Sequence, residues 1–307
     1  HPVMDQIGVD TQNEVVKEEK RQRYDAPYGK LLKALNDNLF KVHPYKDQVI
    51  GEMEHLDAAT LEEFREYHKT YYGPNNAVLI VAGDIDSNKT EELVRKYFDE
   101  VPTGNVVVRN FPKEEPITKN TKAVAYDENI QIPMLLATFR TPGFAQRDAY
   151  VLDMISTYLS DGKSSVLYKK LVDEQKQALQ TQVINLGQVD YNIFAILALP
   201  LGEVELDTLL EEIEEEINKV RNELISERSY GKLLNKFENR FVNSNSSIAG
   251  IANSLARYYM LYGDVNLINK EIDIYRSITR EEIQMVAKKY LGKDQRVDIE
   301  YLPKPSK

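Results

Sequence analysis

The sequence predicts an α+β fold of two related domains, each a largely antiparallel sheet with helices packed on one face. Three observations carry that expectation. Thr60-Leu61-Glu62-Glu63 opens a helix pattern ending near Tyr72-Gly73, and a polar turn then leads into Ala77 to Gly83, a strongly apolar strand expected to be among the most buried. Thr279-Arg280-Glu281-Glu282 opens a second helix pattern ending near Leu291-Gly292, followed by a polar turn and the strand pattern Arg296 to Leu302. The same order of signals early and late in the chain points to duplication. Between them, Pro112-Lys113-Glu114-Glu115-Pro116 is a charged connector bracketed by prolines, which fix φ and remove donors. The expected domains are residues 1–112 and 122–307, with 113–121 as linker.

Taken in order, Thr11 with Glu14 has the spacing of a capping box, so a helix is expected to start there and run to the Pro27-Tyr28-Gly29 turn. It carries Glu14, Glu18 and Glu19. Gln12, Val15 and Glu19 share one stripe of it. A charged face of this kind is ordinarily solvated, yet a carboxylate on a stripe with Val15 need not be. Lys122 to Thr138 alternates as strand with Pro133 interrupting it, and Ala145 to Leu159 reads as helix. Ile184 to Pro200 holds strand signals. Leu206, Leu209, Leu210, Ile213, Ile217, Val220 and Leu224 mark a long amphipathic helix whose other face, Glu211 to Glu216, is expected to be solvated. Ile248 to Tyr259 gives another buried stripe.

With 307 residues, 42% hydrophobic and 29% charged, the balance is that of a globular chain long enough for about two cores. A net charge of −10 argues against nucleic acid as a partner, and no apolar run approaches a membrane span. The absence of cysteine excludes disulfides and thiolate chemistry and leaves the compartment open. A chain opening His1-Pro2 is not expected to show its native start. Gly162-Lys163-Ser164 imitates the end of a phosphate-binding loop, but position 157 is Thr where that motif needs its first Gly. Gly-x-Ser-x-Gly is missing too. His43 is expected to be structural, and His55 and His68 to be exposed or satisfied.

The segment VVKEEKRQRYDAPYGK resembles the part of the pitrilysin/insulinase family of zinc peptidases that supplies the third metal ligand. His43-Pro44-Tyr45, the run Leu56 to Glu63, Tyr71 to Asp84, and Ser277 to Leu291 are similar to the same family, so the likeness covers essentially the whole chain. It implies Glu19 as a zinc ligand. At the position where relatives often carry a supporting Glu, this chain has Gln12, which keeps an acceptor and loses the charge. The other two ligands would be the histidines of an HxxEH motif. His1, His43, His55 and His68 contain no such pair. The chain is therefore expected to be a piece of a longer peptidase, inactive as given and without tightly bound zinc.

Ser164 to Leu171 resembles a helix start of the family's second domain. In the substrate-binding partner half this helix goes on to an Arg and a Tyr that touch the scissile carbonyl, where this chain has Val172 and Leu179. That departure implies the metal-bearing half and a second half or subunit carrying the Arg/Tyr pair. The expected function is a zinc-dependent endopeptidase acting on peptides or unfolded polypeptides. The alternative is a non-catalytic homologue serving as a structural or substrate-holding subunit.

Overall fold

The computed structural model describes residues 3–105 and 107–305. In chain order the helices and strands are α1 (Gln6–Asp25), α2 (Leu31–Leu39), α3 (Met53–Ala58), α4 (Leu61–Tyr71), α5 (Ser87–Phe98), β1 (Thr121–Asp127), β2 (Met134–Pro142), α6 (Arg147–Ser160), β3 (Ala178–Leu186), β4 (Tyr191–Pro200), α7 (Leu206–Asn222), α8 (Glu227–Ser244), α9 (Ile248–Arg257), α10 (Leu267–Ser277), α11 (Arg280–Tyr290) and β5 (Arg296–Pro303). Two compact units interleave along the chain. The first gathers residues up to Gln22, Gln48–Phe111 and Phe241–Asn269; the second gathers Arg23–Asp47, Pro112–Arg240 and Lys270 onward.

The second unit is built on one five-stranded sheet of order β1-β5-β2-β4-β3. Every neighbouring pair is antiparallel except β1 with β5. Pro133 falls between β1 and β2, where its missing donor costs no ladder bond. Period-two alternation divides the strands between two layers. Leu136, Ile193, Ala195, Leu197, Val297, Ile299 and Tyr301 join Leu35, Leu39 and Phe40 from α2 and its C-terminal end. Leu135, Ala137, Phe139, Phe194, Ile196 and Ala198 occupy the alternate positions, and α6, α7 and α11 pack against the sheet as a second layer. α7 buries Leu209, Leu210, Ile213, Ile217 and Val220, the stripe read from its 3.6-residue spacing. Each fully buried aliphatic side chain of this kind contributes about 1.5–3 kcal/mol.

The polar face of α7 departs from the expected solvated one. Lys170 Nζ stands 2.7 Å from Glu212, 2.6 Å from Glu215 and 3.0 Å from Glu216, and Glu216 is buried. Burial alone would lower the lysine, yet bonds to three carboxylates hold its pKa above the ordinary range. Bonds to Lys170 and Lys219 press Glu215 down to about 2. A helical wheel of α7 cannot show this, because Lys170 arrives from a distant segment.

The first unit contains no strand among its described residues. α4 starts as read: Thr60 and Glu63 form a reciprocal capping box. After it, Gly73 lies so close to Gly104 that a Cβ would stand 2.5 Å from the Gly104 nitrogen, and Asn75 pins Gly104 through both its amide atoms. The following run, Ala77 to Gly83, was expected to be a buried strand. It is extended, unpaired and partly exposed, with Leu79 at 54%. A strand is stabilised by its ladder and cross-strand packing rather than by its own residues, and no described neighbour provides either.

Candidate functional site

α1 begins earlier than the Thr11 capping box implied. The Asp5 carboxylate accepts from the Gly8 N–H at 2.7 Å and caps the helix, while Thr11 sits inside it and donates its hydroxyl to the Ile7 carbonyl at 2.7 Å. Residues 6–10 contain no proline and the helix runs through Gly8, so the upstream cap prevails. At the other end, Tyr28 adopts φ +60° and Gly29 approaches so closely that a Cβ would stand 1.8 Å from the Arg23 carbonyl oxygen. Only glycine fits that turn.

The buried side of α1 is polar. Asn13 Nδ2 donates to the Leu56 carbonyl at 3.2 Å. Lys17 Nζ lies 2.5 Å from Asp57, and Lys20 Nζ donates to the Gly51 carbonyl at 2.5 Å and to Glu52 at 2.6 Å. These contacts fix which way α1 is rolled within the first unit. Gln12, Val15 and Glu19 consequently share the exposed side, with Val15 55% exposed. Glu18 is engaged along its own helix, accepting from Arg21 and Gln22 at 3.3 Å. The stripe read from sequence is thus real, and it faces outward.

Among the described residues no group of three or more His, Asp or Glu is placed to hold a metal ion. His43 belongs to the second unit and is buried against Phe40, Tyr45 and Tyr191. Its Nδ1 accepts from the Tyr45 N–H at 3.2 Å and its Nε2 lies 3.4 Å from Asp190. His55 is exposed, and His68 stacks on Tyr72 with ring centroids 5.0 Å apart. His1 lies outside the described residues. The described residues therefore do not assemble a zinc site.

Val172 lies half-buried in the π-helical segment Tyr168–Glu174. Leu179, 45% exposed, sits at the break in β3–β4 register between Ala178 and Gln180. Neither side chain can donate a hydrogen bond. What sequence reasoning passed over lies nearby: Lys163, Ser164 and Ser165 line an open cleft together with Arg228 and Lys232 of α8. The lysines and serines of both segments, Lys163-Ser164-Ser165 and Arg228-Ser229 to Lys232, are the signal in the sequence.

A family model described as the peptidase M16 inactive domain matches residues 58–237. The zinc protease PqqE of Helicobacter pylori is 26% identical over 94% of this chain and 65% of its own length. An uncharacterized zinc protease of Streptomyces coelicolor is 20% identical over 93% of this chain and 63% of its own. The chain thus spans less than two thirds of these curated relatives. A crystal structure of a protease from Helicobacter pylori superposes with a TM-score of 0.88 at 25% identity, covering 98% of this chain and 73% of that one. A peptidase M16 inactive domain from Pseudomonas fluorescens, 14% identical, shares the fold over 100% of this chain and 72% of its own with a TM-score of 0.85.

Proposed function

The chain belongs to the M16 (pitrilysin/insulinase) peptidase family, and from that premise we propose that it forms part of a zinc endopeptidase. It contributes the sheet-bearing unit and one carboxylate, Glu19, toward a metal whose remaining ligands come from residues outside these 307. One observation carries the reading: Glu19 shares the outward stripe of α1 with Val15 and Gln12, while the buried side of the same helix is held by its own polar contacts. A carboxylate oxygen suits zinc beside imidazoles, and Gln12 supplies an acceptor near it. Because the described residues make no zinc site, no hydrolytic step is assigned to this chain alone.

The substrate class is peptide or unfolded polypeptide. Val172 and Leu179 offer no donor to a carbonyl, so the reading includes a second half or subunit that carries the Arg and Tyr. The test uses the whole protein: zinc content and peptide cleavage in wild type, Glu19→Gln and Glu18→Gln, each with and without the Arg/Tyr-bearing homologue. Glu19→Gln should lose metal and activity together, since a neutral amide is a poor zinc ligand. Full zinc occupancy in that variant, or loss confined to Glu18→Gln, would remove Glu19 from the site.

The description of the matching family model, an inactive domain, favours a second reading: a non-catalytic subunit that holds substrate or scaffolds a partner. Stoichiometric zinc and turnover in the whole protein decide for the first reading. Peptide binding without metal decides for the second.

A further inference from the structure

We propose that the second unit carries a binding site for a small oxyanion, a phosphoryl or carboxylate group, in the cleft between the Gly162–Ser165 turn and the start of α8. The cleft is open, about 930 Å³, in the size range of ligand sites. Ser165 is the decisive residue. It is only 5% exposed, it lines this cleft and a smaller cavity of about 70 Å³ beside it, and its Oγ is buried without a hydrogen-bond partner. A buried hydroxyl is ordinarily satisfied; the cleft and the cavity beside it are the spaces from which a partner can reach this one.

The charges around Ser165 specify what that partner is. Lys232 donates to the Ser164 hydroxyl, so an ammonium and two hydroxyls converge on one wall. Lys163 and Arg228 add two further cations with no ion pair among the described residues. Asp173 and Glu174 also line the cleft, and Glu174 is matched by Lys169 at 3.4 Å. Lys170, Lys219 and Glu216 are consumed by the carboxylate cluster of α7. The remainder is three cations against Asp173, in a chain whose net charge is −10. Ammonium, guanidinium and hydroxyl groups lining one cleft suit a multidentate oxyanion. The phosphate-loop reading of Gly162-Lys163-Ser164 remains excluded, since its first glycine is absent and an α-helix, α6, precedes it. The inference is independent of the zinc reading.

The experiment is a thermal-shift and calorimetric titration of the purified protein with inorganic phosphate and, separately, with succinate. Variants are Ser165→Ala, Lys232→Gln and Lys163→Gln/Arg228→Gln, with Lys33→Ala on α2 as control. A ligand that binds only the folded state raises Tm in proportion to occupancy, whereas the general effect of a salt is common to all variants. Wild type and the control should show saturable binding of at least one of the two anions. Ser165→Ala should keep or raise the ligand-free Tm, because it removes an unsatisfied hydroxyl, and weaken binding about tenfold. Lys232→Gln and the double variant should weaken binding by a similar factor while leaving the Ser165 hydroxyl in place. Response to phosphate alone assigns a phosphoryl ligand, and response to succinate alone a carboxylate. Identical responses of wild type and all variants to both anions overturn the proposal.

Discussion

Thr60–Gly83 and Thr279–Pro303 are one local plan in two settings, and they end differently. Each has a threonine cap, an eleven-residue helix, a glycine, a short 3-10 turn and an apolar run. In the later copy α11 buries Ile283, Val286 and Ala287, and the run becomes β5, between β1 and β2 in the sheet. In the earlier copy the matching helix positions are Phe64, Tyr67 and His68, none of them buried, and the run stays unpaired. Caps, turns and helix lengths are therefore settled locally, whereas a strand exists only when tertiary neighbours complete its ladder.

The sharpest way to break this comparison is to truncate matching apolar residues. Ile299 is wholly buried between β1 and β2, so Ile299→Ala should cost about 2–5 kcal/mol through lost burial and the cavity left behind. Leu79→Ala should stay within about 0.5 kcal/mol, as exposed substitutions do. Urea unfolding followed by hydrogen exchange in each unit separates the two. Equal losses at Leu79 and Ile299 would show that the earlier run is buried after all.

The second test is acid. Burial pushes the Glu114 carboxyl up, but the N–H groups of His43, Val42 and Lys41 and the Arg140 guanidinium more than reverse this and hold it below the ordinary range. Its Oε1 accepts from all three N–H groups at 2.7–2.8 Å, and its Oε2 lies 3.1 Å from Arg140. A carboxyl depressed in the folded state stabilises fully above its unfolded value, roughly 4.3, and that contribution is lost as pH falls through the lower folded value. The second unit should thus weaken as pH drops below about 4.3. Glu114→Gln should cost about 3 kcal/mol at pH 7, because it strands Arg140, and flatten the acid slope. A variant with unchanged neutral stability and the wild-type slope would dismiss the pair.

The third test is proteolytic and serves the consecutive-domain proposal, 1–112 and 122–307. The connector from Gly104 to Thr121 should be nicked early, on the Gly104 to Pro112 side, since Glu114 is tied down. Ala77 to Gly83 should be cut at a comparable rate, reversing the protection its apolar sequence suggested. Resistance there with fast cutting at residues 121–127 would invert the comparison.

These contrasts mark what the sequence could tell. The second unit was legible because its periodicities agree with its environment: the α7 stripe, the Pro133 break and the β4 run all found partners. The start of α1 was misread because Asp5 and Thr11 are both competent caps, and Gly8 between them does not stop the helix from reaching back to the first. Lys170 among three glutamates and Ser164 beside Lys232 were illegible, since both join segments far apart in sequence. On α1, spacing put Gln12, Val15 and Glu19 on one face, but which way that face points depends on Lys17 and Lys20 reaching residues 51–57. Alternation would also send Arg296 and Asp298 to solvent. They are instead buried together, Nε to Oδ1 at 2.6 Å, with Glu214 of α7 at 3.3 Å.

The smallest expected effect tests the shared half of the comparison. Thr60 Oγ1 accepts from the Glu63 N–H at 3.3 Å, and Thr279 Oγ1 accepts from the Glu282 N–H at 3.2 Å. Each bond satisfies one helix-terminal donor that water would otherwise have to serve, so replacing either threonine by alanine should cost about 1 kcal/mol. The two losses should agree within about 0.5 kcal/mol, although the downstream runs differ so much, because a cap acts on its own first turn. Local hydrogen exchange is the suitable measurement, since two units need not unfold as one. If Thr279→Ala cost several times more than Thr60→Ala, capping and strand pairing would be coupled, and the division between local and tertiary control drawn from these two passages would fail.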